Sequence, residues 1–189
     1  MHTGKQYGKQ AENPQYNSLK YSQVDCQAFC EKVLKDLGVR KSNGGVYDWR
    51  GSNDMWRHAV SWKGTIAEAR ARFGCVPVGS WAFMVKHDGG EVPRGYHDNE
   101  GNASHVAIVV NENQVRDSTK GTGRDGVAYR KLSDFTHVGL PNMLDFDGEK
   151  RTIIEVEADE ISKVKNLLSE INSIIGGWKN ETGRNSEID

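Results

Sequence analysis

The chain has 189 residues, a formal net charge of -1 and 36% hydrophobic residues, among them five tryptophans. This length suffices for one substantial hydrophobic core. The balanced charge offers no electrostatic argument for nucleic-acid binding, and no apolar run approaches the roughly 20 residues that span a membrane. The three cysteines are an odd number, so no disulfide framework is predicted, and free thiols fit synthesis in a reducing compartment.

The first strong secondary-structure signal is an amphipathic helix over residues 26–37. Its apolar residues recur at intervals of three and four, which is the helical period. They are Cys26, Phe29, Cys30, Val33, Leu34 and Leu37. Asp25 precedes the helix as an N-cap, and Gly38 follows it where a left-handed residue is favoured. Cys26 therefore lies in the first turn, where unpaired N–H groups and the helix dipole favour a thiolate.

Residues 39–64 are rich in glycine, serine, asparagine and tryptophan. We interpret them as a loop-rich insertion beside the first helix. A short second helix is predicted over residues 65–73. Thr65 and Glu68 have the spacing of a capping box, and Gly74 is suited to end the helix.

A long loop is predicted over residues 87–102, which contain Asp-Gly-Gly, Pro-Arg-Gly and Asp-Asn-Glu-Gly runs. The loop leads directly to His105, and loops of this length in a compact domain are often functional. This loop is equally compatible with two interpretations: it forms one wall of a substrate groove, or it is a tolerated surface insertion. His87 and His97 lack acidic or cysteine partners at metal-ligand spacing, and Cys30 lacks a second ligand pair, so neither a metal nor a cofactor is expected.

A buried strand is predicted to begin at His105. The alternating side chains of residues 105–110 are mostly apolar on both faces, which is typical of a sheet covered on both sides. A turn at residues 111–113 and a returning strand at 114–118 complete a hairpin. In a one-to-one pairing about this turn we expect Asp117 opposite His105, although the sequence leaves the register open.

A cysteine at a helix N-terminus and a histidine on a buried strand are the minimal side chains of a cysteine hydrolase. We predict that Cys26 is the nucleophile and that His105 takes the thiol proton. A carboxylate beside the imidazole orients the ring and stabilises its charged form. Asp117 is the first candidate for this role, with Asp125 and Asp134 as weaker ones. The alternative is that Cys26 is one more small apolar residue of the core.

The C-terminal part is predicted to form a strand over residues 151–157 and a helix over residues 159–175. The helix has an apolar stripe at heptad spacing. The stripe consists of Ile161, Val164, Leu168, Ile171 and Ile175, widened by Leu167 and Ile174. Two heptads suit packing on the domain and homodimer formation equally. We therefore assign one domain to residues 1–148, a C-terminal appendage to 149–178 and a disordered tail to 179–189.

Three segments resemble the NlpC-type cell-wall cysteine peptidases. Residues 25–29, Asp-Cys-Gln-Ala-Phe, are similar to that family's Asp-Cys-Ser-Gly-Leu/Phe motif. Residues 77–83 are similar to its Pro-Gly-Asp-Leu-Val-Phe strand, and residues 105–109 to its His-Val-Gly-Ile-Tyr strand. Asp117 falls where the family usually has its third catalytic residue. The resemblance covers residues 5–145.

This resemblance implies an α+β fold with a papain-like core, in which the nucleophile's helix packs on an antiparallel sheet that carries the histidine. It also implies cleavage of an amide bond in peptidoglycan stem peptides, often between D-glutamate and the diamino acid, through a thioacyl-enzyme. The backbone N–H of Cys26 is then a natural oxyanion donor. The positions expected to contact substrate are Tyr16, with Tyr7 and Tyr21 as rivals, and Asp25, Gln27 and Ser104.

The chain departs from the family pattern in several places. Asp117 replaces a histidine, asparagine or glutamine, Gln27-Ala28 replaces Ser-Gly, and the Tyr-x-Trp-Gly-Gly segment is absent. Residues 51–56, with Ala59, also resemble the Asn-Ala-x-x-Trp segment of the related CHAP amidases, which cleave the sugar–peptide amide or a peptide cross-bridge. A catalytically inactive wall-binding or phage structural module is a third interpretation, and transfer of the acyl group to an amine is a fourth.

Residues 1–5 contain no apolar stretch, so no secretory signal peptide is expected. A cell-wall enzyme of this kind would be made in the cytoplasm and delivered by a phage or prophage type of release or by another export route. The expected partner is a peptidoglycan stem peptide, with no nucleic acid and no membrane. Homodimer formation through the C-terminal helix stays open.

Overall fold

The computed structural model describes residues 1–86, 96, 98–121, 123–146 and 163–171. The chain divides into two compact units, Met1–Glu149 and Lys150–Asp189. The strands are β1 (Val60–Thr65), β2 (Trp81–Lys86), β3 (Asn102–Asn111), β4 (Gln114–Thr119), β5 (Gly126–Lys131) and β6 (His137–Pro141). The helices of the first unit are α1 (Gly4–Ala11), α2 (Cys26–Leu37), α3 (Ser52–His58) and α4 (Ile66–Phe73), with 3₁₀ helices at Pro14–Ser18 and Leu132–Asp134.

The first unit has an α+β fold, as predicted. Its six strands form one antiparallel sheet in the order β1-β6-β2-β3-β4-β5. Helices α1, α2 and α3 all contact β3. The side chains between these helices and the sheet form the main core, which includes Phe29, Val33, Trp81, Val106 and Ile108.

Helix α2 has the predicted ends. The Asp25 carboxylate accepts the backbone N–H of Ala28 at 2.9 Å. Gly38 ends the helix with a φ of 87°, a left-handed conformation that favours glycine. Cys26 is the first residue of the helix, so its N–H has no acceptor within the helix.

The β3–β4 hairpin forms as predicted, and residues 106–109 are fully buried, so both faces of β3 are covered. The expected pairing of Asp117 with His105 is wrong. The ladder has Ile108 opposite Arg116 and Val109 opposite Val115. His105 lies seven residues before Glu112 but Asp117 only five after it. Extending the Ile108–Arg116 pair by one residue would set Ala107, not His105, opposite Asp117, so Asp117 and His105 are offset by two residues on the same face.

The second predicted helix is also confirmed, as α4 begins after the Thr65–Glu68 capping box and ends at Gly74. The interpretation of residues 39–64 as a loop-rich insertion is wrong for their second half. That half contains α3 and most of β1. Helix α3 has no side-chain cap, and its Met55 and Trp56 are buried in the core. Tertiary packing therefore stabilises a helix that its own sequence signals do not indicate.

Helix α1 was not predicted. Thr3 and Gln6 form a capping box at its start, and Gly4 packs against Gly79, the turn residue before β2. A Cβ atom on Gly79 would lie 2.0 Å from the Gly4 carbonyl oxygen, and Gly79 has a φ of 85°. The buried Tyr7 hydroxyl donates to the Cys30 carbonyl at 3.0 Å and ties α1 to α2.

In the second unit, the structure describes a helix over residues 163–171, within the range predicted as helical. Val164, Leu167, Leu168 and Ile171 are 54%, 58%, 54% and 51% exposed. The predicted strand over 151–157 and the tail over 179–189 lie outside the described residues, as do His97 and residues 87–95 of the predicted loop. Across the described parts of both units, we find no helix with the length and apolar character needed to cross a membrane.

Candidate active site

Cys26, His105 and Asp117 lie together where the N-terminus of α2 meets the sheet. The side chain of Cys26 lies close enough to the His105 ring to help raise its pKa. The last pair of the β3–β4 ladder is Ile108 with Arg116, although both strands continue beyond it. His105 and Asp117 thus occupy lengths of β3 and β4 that are not paired with each other, and their side chains meet there.

The His105 ring uses its two nitrogens for different partners. Nε2 donates to Asp117 Oδ2 at 2.6 Å, which is the short distance of a charge-assisted hydrogen bond. Nδ1 is therefore the ring nitrogen that remains for proton exchange with the Cys26 thiol. The Asp117 side chain is 0% exposed and that of His105 is 14% exposed. This arrangement fixes the tautomer in which Nδ1 can accept the thiol proton.

The electrostatics of the site favour a charged imidazole. Burial lowers the pKa of His105, but the hydrogen bonds to Asp117 and Cys26, together with their negative charges, raise it to about 9. His105 is then protonated near neutral pH. In general, an imidazolium beside a thiol favours the thiolate, which is the nucleophilic form of cysteine.

Two residues that the sequence analysis did not predict complete the site. Arg130 Nη1 donates to Asp117 Oδ2 at 3.2 Å. The ring of Phe135 stacks on His105 with 5.9 Å between centroids and an interplanar angle of 26°. Arg130 reaches the site because β5 pairs with β4, placing it opposite Val115 and on the face of Asp117. No local sequence signal specifies that register.

The two weaker carboxylate candidates do not contact His105 in the structure. Asp134 Oδ2 lies 3.6 Å from Arg130 Nε, whereas Asp117 is bonded to Arg130 Nη1. Asp125 is exposed just before β5. Asp117 is thus the carboxylate that the fold brings to the ring.

Three of the expected substrate-contacting residues flank the site but use their polar groups within the protein. Asp25 caps α2 through Ala28. The side-chain amide of Gln27 donates to Glu31 and to the Trp49 carbonyl oxygen, joining α2 to the segment that precedes α3. The exposed Ser104 donates its hydroxyl to the Met84 carbonyl oxygen at 3.3 Å.

The hydroxyl of Tyr16 is bonded near the end of α2 opposite to Cys26. This fully buried hydroxyl donates to Asp36 at 2.9 Å and accepts from Gln10. Asp36 lies ten residues after Cys26 in α2, which corresponds to about 15 Å along the helix axis. Tyr16 therefore supports the C-terminal end of α2 instead.

The two rival tyrosines occupy different environments. Tyr7 is fully buried, and its hydroxyl is bonded to Cys30 and Trp81. Tyr21 lies in the turn over residues 21–23, just before α2, and is partly exposed. Of these residues, Tyr21 has the position and exposure that fit a contact with substrate.

Helix α3 holds the segment that leads into His105. Arg57 forms a two-pronged ion pair with Asp98, at 2.8 Å for each contact. Its hydrogen bonds lower the pKa of Asp98 to about 2. The Asn53 side-chain oxygen accepts the backbone N–H of Ala103 at 2.9 Å. The segment that resembles the CHAP pattern thus fixes the entry to β3.

Within the ranges that the structure describes, no group of three or more histidine, cysteine, aspartate or glutamate side chains is placed to hold a metal ion. No family model, curated protein or solved structure matches this chain.

Proposed function

We propose that the protein is a cysteine hydrolase of the NlpC type that cleaves an amide bond in peptidoglycan stem peptides. The main support is the continuous chain of contacts from Cys26 through His105 to Asp117. A thiol at a helix N-terminus lies beside an imidazole, and a buried carboxylate bonds to Nε2 of that ring at 2.6 Å. These groups supply a nucleophile, a proton carrier and an orienting charge.

The proposed reaction proceeds in two halves. The Cys26 thiolate attacks the carbonyl carbon, and the backbone N–H of Cys26 donates to the oxyanion that forms. The protonated His105 gives its Nδ1 proton to the leaving amine as the C–N bond breaks, which leaves a thioacyl-enzyme. The neutral imidazole then removes a proton from water, whose oxygen attacks the thioester and releases Cys26.

The proposed substrate class follows from the NlpC-type resemblance, which covers the nucleophile helix, β2 and the histidine strand. Its core arrangement would be papain-like, with α2 packed on the antiparallel sheet. On this proposal the bond cut joins D-glutamate to the diamino acid of the stem peptide. The cell wall is then the site of action, reached by phage-type release or another delivery route.

A CHAP-like amidase is the second candidate, and α3 favours it. Asn53 and Trp56 belong to the segment that resembles the CHAP pattern, and both bond to the segment before His105. The two candidates share the same cysteine chemistry. They differ in whether the bond cut lies within the stem peptide or between sugar and peptide.

Incubation with purified peptidoglycan fragments, followed by mass spectrometry, tests this proposal. Release of L-Ala-D-Glu supports the endopeptidase, and separation of an intact stem peptide from sugar supports the amidase. Cys26→Ala should abolish formation of either product. Cys75→Ala, a matched cysteine control, should leave product formation unchanged. An absence of product from several wall types, with an unreactive Cys26, would leave a binding or structural module.

A further inference from the structure

Two cationic side chains share one oxygen of Asp117. Oδ2 accepts from His105 Nε2 at 2.6 Å and from Arg130 Nη1 at 3.2 Å. The other oxygen, Oδ1, is buried, and no group within the described part of the chain donates to it. The negative charge of this carboxylate is therefore balanced by His105 and Arg130 together.

The guanidinium of Arg130 is held on more than one side. Its Nε lies 3.6 Å from Asp134 Oδ2, and the side chain is only 18% exposed. The guanidinium carbon lies 5.2 Å from the centre of the Phe135 ring, which also stacks on His105. Phe135 thus contacts both cations that Asp117 binds, and the guanidinium has little freedom to leave the carboxylate.

We propose that Arg130 is a positioning residue that holds the Asp117 carboxylate against His105 and offsets part of its negative charge, so that His105 can still release its proton during catalysis. This inference rests on the proposed hydrolase function. Asp117 alone would strengthen the binding of the imidazole proton, and the Arg130 charge opposes that effect. The second half of the reaction needs a neutral imidazole, so a proton held too tightly would slow it.

In the described structure, the charged and titratable groups around the Asp117–His105 pair come from three elements. They are Cys26 and Cys30 from α2, Arg130 from β5, and Asp134 from the 3₁₀ helix before β6. Arg130 is the permanent cation of this set. Its removal should therefore raise the pKa of His105 above its present value of about 9.

Titration of the His105 ring by NMR tests this inference without any substrate. The resonance is assigned by its loss in His105→Gln. In Arg130→Met we expect the pKa of His105 to rise by about half a unit to one unit. Arg130→Lys keeps a cation, so its His105 pKa should stay close to the wild-type value. Lys131→Met, the exposed neighbour on β5, is the matched control and should leave the pKa unchanged.

An unchanged or lowered pKa of His105 in Arg130→Met would overturn the inference. If that variant does not fold, Arg130→Gln removes the charge but keeps a donor toward Asp117, and the same rise is expected. The pH profile of kcat/KM on wall fragments should show its alkaline limb displaced upward in the same variants. Because the titration needs no turnover, a rise without wall cleavage would reject the proposed substrate while supporting the role of Arg130.

Discussion

At the residue scale, the site depends on one imidazole with two different neighbours. Nε2 of His105 is bonded to a carboxylate that is 0% exposed, and the side chain of Cys26 lies beside the same ring. The carboxylate stabilises the charged ring, and a charged imidazole favours the thiolate form of a cysteine beside it. The reactivity of Cys26 should therefore depend on His105, although the two residues lie far apart in sequence.

His105→Ala should slow the alkylation of Cys26 by iodoacetamide at pH 6 by about tenfold or more, because an ordinary thiol is almost fully protonated at that pH. Peptide mass spectrometry separates Cys26 from Cys30 and Cys75. In His58→Ala, a change at an exposed histidine outside the site, Cys26 should be alkylated at the wild-type rate. Equal labelling of Cys26 in wild type and His105→Ala would contradict the thiolate–imidazolium pair.

At the element scale, close backbone packing sets the position of α1. Gly79 has a φ of 85°, and a Cβ atom there would lie 2.0 Å from the Gly4 carbonyl oxygen. Helix α1 in turn contacts α2 through the Tyr7 hydroxyl and the Cys30 carbonyl. Helix α2, which carries Cys26, is thus supported by a helix whose backbone packs against Gly79.

Gly79→Ala should reduce the free energy of unfolding by about 3 kcal/mol or more, because the strained φ and the backbone clash add together. Gly44→Ala is the matched control. Gly44 has a similar φ of 79° but nothing within 4 Å of its Cβ position. The free energy of unfolding of Gly44→Ala should fall by only about 1 kcal/mol. Urea denaturation measures the free energy of unfolding of both variants. Equal losses in the two would show that the contact between Gly79 and α1 does not limit the packing.

At the scale of the whole molecule, the His105 proton links folding to pH. The pKa of His105 is about 9 in the folded protein and about 6.5 in an unfolded chain. Because the pKa is higher in the folded protein, protonation of His105 stabilises the fold. This contribution is fully present below about pH 6.5 and is lost as the pH rises through about 9.

Thermal denaturation of wild type and Asp117→Asn between pH 6.5 and 9.5 measures this link. The wild-type Tm should fall more steeply over that range, because Asp117→Asn removes the charge that holds the proton on His105. Groups that titrate equally in both proteins cancel in the comparison. Parallel curves for the two proteins would show that Asp117 does not raise the pKa of His105.

The local sequence predicted the parts of the fold that local forces determine. Helix α2, with its Asp25 cap and its glycine end, follows from spacing and capping chemistry alone, as does the β3–β4 hairpin. The Thr3–Gln6 capping box of α1 was also present in the sequence and could have revealed that helix. Helix α3 could not be found this way, because it has no side-chain cap and depends on burial of Met55 and Trp56.

The sequence by itself determined the candidate nucleophile, the candidate base and the strand that carries Asp117, because each depends on periodicity and helix-end chemistry within a short segment. Only the tertiary structure decided which groups meet. The register of β4 placed Asp117 diagonally from His105, and the register of β5 brought in Arg130. The burial of Tyr16 beside Asp36 kept it from the site. Such contacts join residues distant in sequence, and the packing of the whole sheet and its helices selects them.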